Sequence, residues 1–172
     1  MSQTLLLLSS FEGIDEVKFL DVFKESSLEN APEWYPELTP AEALHRYESS
    51  FLEYMRGPFW DEGGLQALLQ DETGYRCALR LYPQAGKNRY FIEALETRPD
   101  SRRQGYAKTL LCNLIKRLEC QYGKIELISN PHKTNLASIA THLSSGFTRE
   151  LEYFLEDGVK NDRMVTMIYH TV

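Results

Sequence analysis

Long hydrophobic runs are scarce in this chain. The longest is four leucines at residues 5–8, far short of the roughly 20 apolar residues of a membrane span. The run follows no basic region, so it reads as a buried first strand, with no membrane partner and a cytoplasmic location expected. Excess positive charge is missing too. Lys and Arg number 19 against 25 Asp and Glu, the net charge is -6 and the pI is near 5.3. That balance argues against a nucleic-acid partner, because a basic stripe has to neutralise phosphates. Cysteine is sparse: Cys77, Cys112 and Cys120 are odd in number and lack metal-ligand spacing. No metal is expected, and the three read as buried free thiols in a reducing compartment. No Walker-type lysine follows a glycine-rich loop, which counts against an ordinary nucleotide-binding protein. No internal repeat or low-complexity linker divides the chain.

What is present is the composition of an ordinary soluble globular protein, 42% hydrophobic and 26% charged over 172 residues. A fold of this size buries about 70% of the surface of its unfolded chain, so residues 1–172 read as one domain. Ile14, Val17, Leu20 and Phe23 recur at helical spacing and predict a first helix through about Leu28, broken by "APEWYPEL". In "TPAEALHRYESSFLEYMRG", Thr39 caps, Pro40 takes the first helical position and Glu42 completes a capping box, predicting a helix that ends near Gly57. "LQALLQDETGYRCALRLYP" predicts a hairpin turning around residues 72–74, and "QAGKN" leads into a third strand, "RYFIEALET". Leu110, Leu111, Leu114, Ile115 and Leu118 predict an amphipathic helix over about 104–121, ended by Gly123. "KIELIS" is the next strand. "NLASIATHLSSGF" then places Leu136, Ile139, Ala140 and Leu143 on one helical face, with Gly146 as its stop, and two last strands follow at about 148–155 and 163–170.

One junction stands out. "RPDSRRQGYAKTLL" turns from a strand into a helix through three arginines and one glycine. The first N–H groups of a helix lack partners and sit at its positive end, so such a turn is an anion site. Gly105 lets a ligand approach the backbone, Ala107 is nearly as small, and Arg102, Arg103 and Lys108 add full charges; the arrangement suits a pyrophosphate.

Here the chain resembles the GNAT-type N-acetyltransferases. Arg102-x-x-Gly105-x-Ala107 matches their Arg/Gln-x-x-Gly-x-Gly/Ala signature, "RYFIEALETRP" has the form of the strand that precedes it, and Asn135 stands eleven residues before the Gly146-Phe147 pair. The resemblance implies an α/β (α+β) fold, a mixed central sheet of about seven strands flanked by four helices, with splayed strands at the cofactor groove. It implies acetyl-CoA as co-substrate, its pyrophosphate held by the backbone of Arg103, Gln104, Gly105, Tyr106, Ala107 and Lys108 beside Arg102. Leu95, Glu96 and Thr97 would pair with the pantetheine arm as an added strand, and Asn135 would hydrogen-bond it from the other side. Family members often dimerise, so a homodimer is part of the same expectation.

Acetyl transfer to an amine needs a base, because an alkylamine with a pKa of about 10.4 is charged at neutral pH. By resemblance Glu93 is the first candidate and Glu96 the reserve. The two differ in strand parity unless a bulge intervenes. A backbone N–H near Leu95 would face the oxyanion. Where many relatives have a tyrosine acid four residues before the Gly-Phe pair, this chain has His142, an acid only if its pKa is raised or if it gains the acceptor's proton. The expected acceptor is a primary amine on a small molecule, with a peptide or protein amine next and a noncatalytic acyl-CoA sensor as the alternative class. Trp34, Tyr35, Tyr54, Trp60 and nearby carboxylates suit a cationic amine, but the favoured reading makes Tyr47, Phe51 and Tyr54 core positions and the carboxylates a solvated face.

Overall fold

The computed structural model describes residues 3–171. Strand β1 (Thr4–Leu8) leads to helix α1 (Glu16–Trp34), helix α2 (Pro40–Arg56) and a single turn, α3 (Pro58–Asp61). Three antiparallel strands follow: β2 (Leu65–Asp71), β3 (Gly74–Pro83) and β4 (Arg89–Thr97). Helix α4 (Tyr106–Tyr122) then crosses to β5 (Glu126–Ser129), which runs parallel to β4. Helix α5 (Leu136–Ser144), β6 (Thr148–Leu151), a small hairpin of β7 (Phe154–Glu156) and β8 (Val159–Asn161), and β9 (Thr166–His170) complete the chain. The main sheet has seven strands in the order β1-β2-β3-β4-β5-β9-β6. Among the described residues only the β4–β5 pair is parallel, so the sheet is mixed and four long helices flank it.

Two apolar layers hold the helices to the sheet. Leu110, Leu111, Leu114 and Leu118 of α4 pack with Leu79, Leu81 and Leu127 on one face, as the helical spacing predicts. Phe19, Val22 and Phe23 of α1 pack with Met55, Phe59 and Leu68 on the other. Burying a side chain of this size fully is worth about 1.5–3 kcal/mol, so these two layers outweigh any single surface contact.

The start of α2 follows the capping box: Thr39 N donates to Glu42 Oε2 at 3.0 Å, and Glu42 N donates to Thr39 Oγ1 at 3.4 Å. Other expectations need correction. Helix α1 does not stop near Leu28 but continues to Trp34 through Pro32. Buried Ser27 and Ala31 anchor its last turns, and Tyr35 N closes onto Ala31 O. Its inward face is Phe19, Val22 and Phe23, while Val17 is exposed. On α5 the buried residues are Ile139 and His142, and Leu136, Ala140 and Leu143 face outward. The two predicted terminal strands are four shorter ones. Of the cysteines, all free, only Cys77 is fully buried; Cys112 is partly covered and Cys120 exposed.

Candidate active site

Parallel pairing of β4 with β5 runs from Arg89↔Glu126 to Ile92↔Ser129 and then ends. Beyond Ile92 the edge of β4 that faced β5 is unpaired among the described residues. A cleft of about 540 Å³ opens there, with Leu95, Glu96 and Thr97 on one wall, Asn135, Ser138 and Thr141 from α5 on another, and the start of α4 at its end. Arg102, Arg103, Gly105, Ala107 and Lys108 also line it, while Glu25 and Glu29 of α1 enter from the side.

The loop into α4 is built to expose backbone. Arg103 (φ 61°) and Gly105 (φ 84°) are both left-handed, and Gly105 caps the helix without a side-chain hydrogen bond. A Cβ placed on Gly105 would meet no protein atom within 4 Å, so the space above it is open. Gln104 points away from the cleft and donates to Asp100 O at 3.0 Å. Tyr106 is buried, and its hydroxyl donates to Asp71 Oδ2 at 3.3 Å. Asp71 belongs to a network that anchors the loop from below. Arg76 Nε donates to Asp71 at 2.7 Å, Arg76 Nη1 donates to Ser101 Oγ at 3.0 Å, and Ser101 Oγ donates to Asp100 at 2.7 Å. Burial alone would raise the Asp71 pKa. Hydrogen bonds from Thr73 and Arg76 outweigh burial and hold it well below the carboxylate range.

Strand β4 carries a bulge at the cleft. Ala78 pairs with Glu96 and Arg80 with Glu93, so Leu79 alone opposes Ala94 and Leu95. Ala94 has φ 51°, a conformation that a residue with a Cβ adopts at a cost. The extra residue cancels the odd separation, and Glu93 and Glu96 share the face covered by α1 and α2. Glu93 is half exposed and ion-paired to Arg80 Nη2 at 3.1 Å. Glu96 is more deeply placed. Burial pushes its pKa up; Arg102 opposes the rise, and Glu25 and Glu29 add to it. Glu96 lines both the cleft and a second hollow of about 150 Å³ between α1, α2 and the sheet.

The model of the acetyltransferase (GNAT) family matches residues 23–147. This chain belongs to that family. No curated protein matches it in sequence. Among solved structures, the PaiA N-acetyltransferase from Thermoplasma acidophilum in complex with coenzyme A superposes with a TM-score of 0.64 at 18% identity, over 99% of this chain and 100% of that one. Spermidine N-acetyltransferase from Vibrio cholerae in complex with CoA and spermine gives 0.63 at 15% identity, over 98% and 95%. A GNAT family acetyltransferase from Elizabethkingia anophelis with acetyl-CoA bound gives 0.54 at 14%, over 71% and 82%. At these identities the likeness is one of fold.

Within the GNAT fold, Leu95, Glu96, Thr97, Arg102, Arg103, Gly105, Tyr106, Ala107, Lys108 and Asn135 come together around one cleft, and Gln104, Glu93 and His142 do not line it. Asn135 caps α5, its Oδ1 accepting from Ser138 N at 3.0 Å. His142 is turned into the core, 1% exposed and edge-on to Phe147. Its Nδ1 lies 2.8 Å from Ser138 O, which assigns the proton to Nδ1 and leaves the buried Nε2 without a partner among the described residues. Burial lowers its pKa, with the bond to Ser138 O opposing, so His142 is held neutral. The requirement for a raised pKa is therefore unmet. Burial pushes the Cys77 thiol up to about 12, which leaves it un-ionised.

Two features escaped the sequence reading. Glu25 reaches across the cleft to pair with Arg102. Arg80 stands on the α1-covered face of β3, in the same parity as Ala78 and Tyr82. A charged residue at a position that both neighbours on its face mark as covered was the available signal for Arg80; Glu25 had none. The aromatic and acidic cage suggested for a cationic amine is not assembled. Trp34 is 70% exposed. Tyr54 hydrogen-bonds Tyr82 and Glu62, and Trp60 donates to Met55 O.

Proposed function

We propose that the protein transfers the acetyl group of acetyl-CoA to a primary amine on a small molecule, with Glu96 as the base. The observation that carries this reading is the position of Glu96 at the junction of two hollows, one shaped for a cofactor arm and one enclosed by α1 and α2. The residues fit acetyl-CoA: the approach to Gly105 is open, the β4 edge is unpaired beyond Ile92, and three cations surround the loop. When bound, acetyl-CoA supplies the acetyl thioester. The chain's part is to place and deprotonate the amine. An alkylammonium with a pKa of about 10.4 must give up a proton, and a carboxylate whose pKa is raised by burial accepts one more readily than an exposed glutamate. The Glu96 carboxylate takes that proton. The bulge withdraws a residue from the β3–β4 ladder, and this frees backbone at Ala94–Leu95 to donate toward an oxyanion.

Among the described residues, no tyrosine or histidine is placed as an acid. Tyr106 is tied to Asp71, His142 is buried away from the cleft, and the Thr141 hydroxyl donates to Ala137 O. A thiol with a pKa near 8.5 leaves tolerably without one, so protonation falls to solvent. The test is free-thiol release from acetyl-CoA across polyamines, aminoglycosides, amino acids and peptides, run beside a cofactor titration. Release with a small amine is the expected result. Cofactor binding with no release from any amine would replace this reading with a noncatalytic acyl-CoA sensor, and release with peptides alone would move the acceptor to a peptide or protein amine.

A further inference from the structure

The second hollow contains a cation that the transfer reaction itself does not require. Arg80 projects from β3 into its wall, 14% exposed, with its guanidinium 5.3 Å from the centre of the Phe51 ring. Phe51 is fixed in turn by stacking on Phe19, with centroids 5.6 Å apart and planes at 13°. Glu93 engages only Nη2 of Arg80, from the half-exposed side. The Nε–H is buried and, among the described residues, has no hydrogen-bond partner. A guanidinium carries donors in a fixed fork that matches a carboxylate, and leaving one donor desolvated and unpaired is unfavourable. The rest of the polar wall is Ser26, whose hydroxyl donates to Phe23 O, Ser27, Asn30, whose Nδ2 donates to the Tyr47 hydroxyl, and one carboxylate, Glu96.

Resting on the acetyltransferase reading, we infer that the acceptor is a small amino-carboxylate, an amino acid or a compound of that type, whose carboxylate is recognised by Arg80 while its amine faces Glu96. The register supports both ends. Arg80 opposes Glu93 and Ala78 opposes Glu96, so Arg80 and Glu96 are diagonal neighbours on one face, with the amine end nearer the cofactor cleft. The hollow, about 150 Å³, is about tenfold the roughly 10–15 Å³ that holds one water. That is room for a few heavy atoms. A second ammonium, as on a diamine, would meet the like charge of Arg80 at the point where the carboxylate of an amino acid finds a partner.

The experiment compares matched acceptors, each amino acid with its amide and its decarboxylated amine, by kcat/KM at saturating acetyl-CoA. The wild type is expected to favour the carboxylate form at least tenfold. Arg80→Gln is expected to remove that preference, raising KM for the amino acid at least tenfold while the affinity for acetyl-CoA, measured by titration, reports that the fold is intact. Arg80→Lys keeps the charge but not the fork and should recover only part of the preference. Amides or diamines used as well as amino acids would overturn the inference and leave the acetyltransferase reading standing, as would an unchanged preference in Arg80→Gln. No thiol release from any acceptor would overturn both.

Discussion

Gly105 joins two requirements in one position. Its φ of 84° suits a residue without a Cβ, and a Cβ there would project into the open space above the loop. Gly105→Ala is expected to weaken acetyl-CoA binding at least tenfold in calorimetry. The fold should lose only about 1–2 kcal/mol from the left-handed strain, a fall in Tm of about 2–8 °C. Unchanged affinity would remove the loop from the cofactor site. Glu93 and Glu96 show how one residue redirects others. Sequence parity separates them, and the inserted Ala94 puts them on one face, where Glu93 is taken by Arg80 and Glu96 is left at the cleft. Identical side chains three residues apart thus meet different surroundings. His142 makes the same point from the other direction: its spacing to Gly146 and Phe147 suggests an acid, but the helix turns the ring onto Phe147.

Among the elements, the loop before α4 depends on the turn between β2 and β3. Asp71 at the end of β2 accepts from Arg76 of β3 and from Tyr106 of α4, and Arg76 continues to Ser101 in the loop. Asp71→Asn leaves a largely buried guanidinium with only the exposed Asp100 carboxylate, 3.8 Å away, as counter-charge, and breaking a buried pair costs about 3–5 kcal/mol. The expected outcome is a large fall in urea midpoint together with weaker cofactor binding. The pH dependence has a definite sign. The folded-state pKa of Asp71 lies below the ordinary aspartate value, so its contribution is full above the unfolded-state value and is lost as pH falls through the folded one. Asp71→Asn should therefore flatten the acid side of the stability curve below about pH 4. An unaltered acid limb would show that this carboxylate does not anchor the loop.

The helices and hairpins were legible in the sequence where local chemistry decides them. Thr39, Pro40 and Glu42 specify the start of α2, and Gly123 specifies the end of α4. Tertiary packing decides the rest. Pro32 argues for a helix end, yet the burial of Ala31 carries α1 past it, and the outward faces of α1 and α5 carry apolar residues that spacing alone assigns inward.

For the whole molecule, the order of elements sets the site. A parallel β4–β5 pair that separates after Ile92 opens the cleft, α4 brings its N-terminal loop to one end, and α1 and α2 close a smaller hollow on the opposite side of the bulge. The sequence motifs located the loop and the β4 edge because backbone conformation there requires particular residues, glycine above all. They did not mark the hollow proposed for the acceptor, where Arg80, Phe51 and Asn30 come from three separate elements and only the packed fold joins them. Glu96, its pKa raised by burial, is the group proposed to take the proton of the amine. The most direct measurement is the pH profile of kcat/KM for the wild type, Glu96→Gln and Glu93→Gln on one accepted amine. The account predicts that the wild-type rate rises with pH through a value above that of an ordinary glutamate. It also predicts that Glu96→Gln loses this limb and about a hundredfold in rate while binding acetyl-CoA normally, and that Glu93→Gln keeps the limb. A Glu96→Gln enzyme with wild-type rate and an unshifted profile would contradict it.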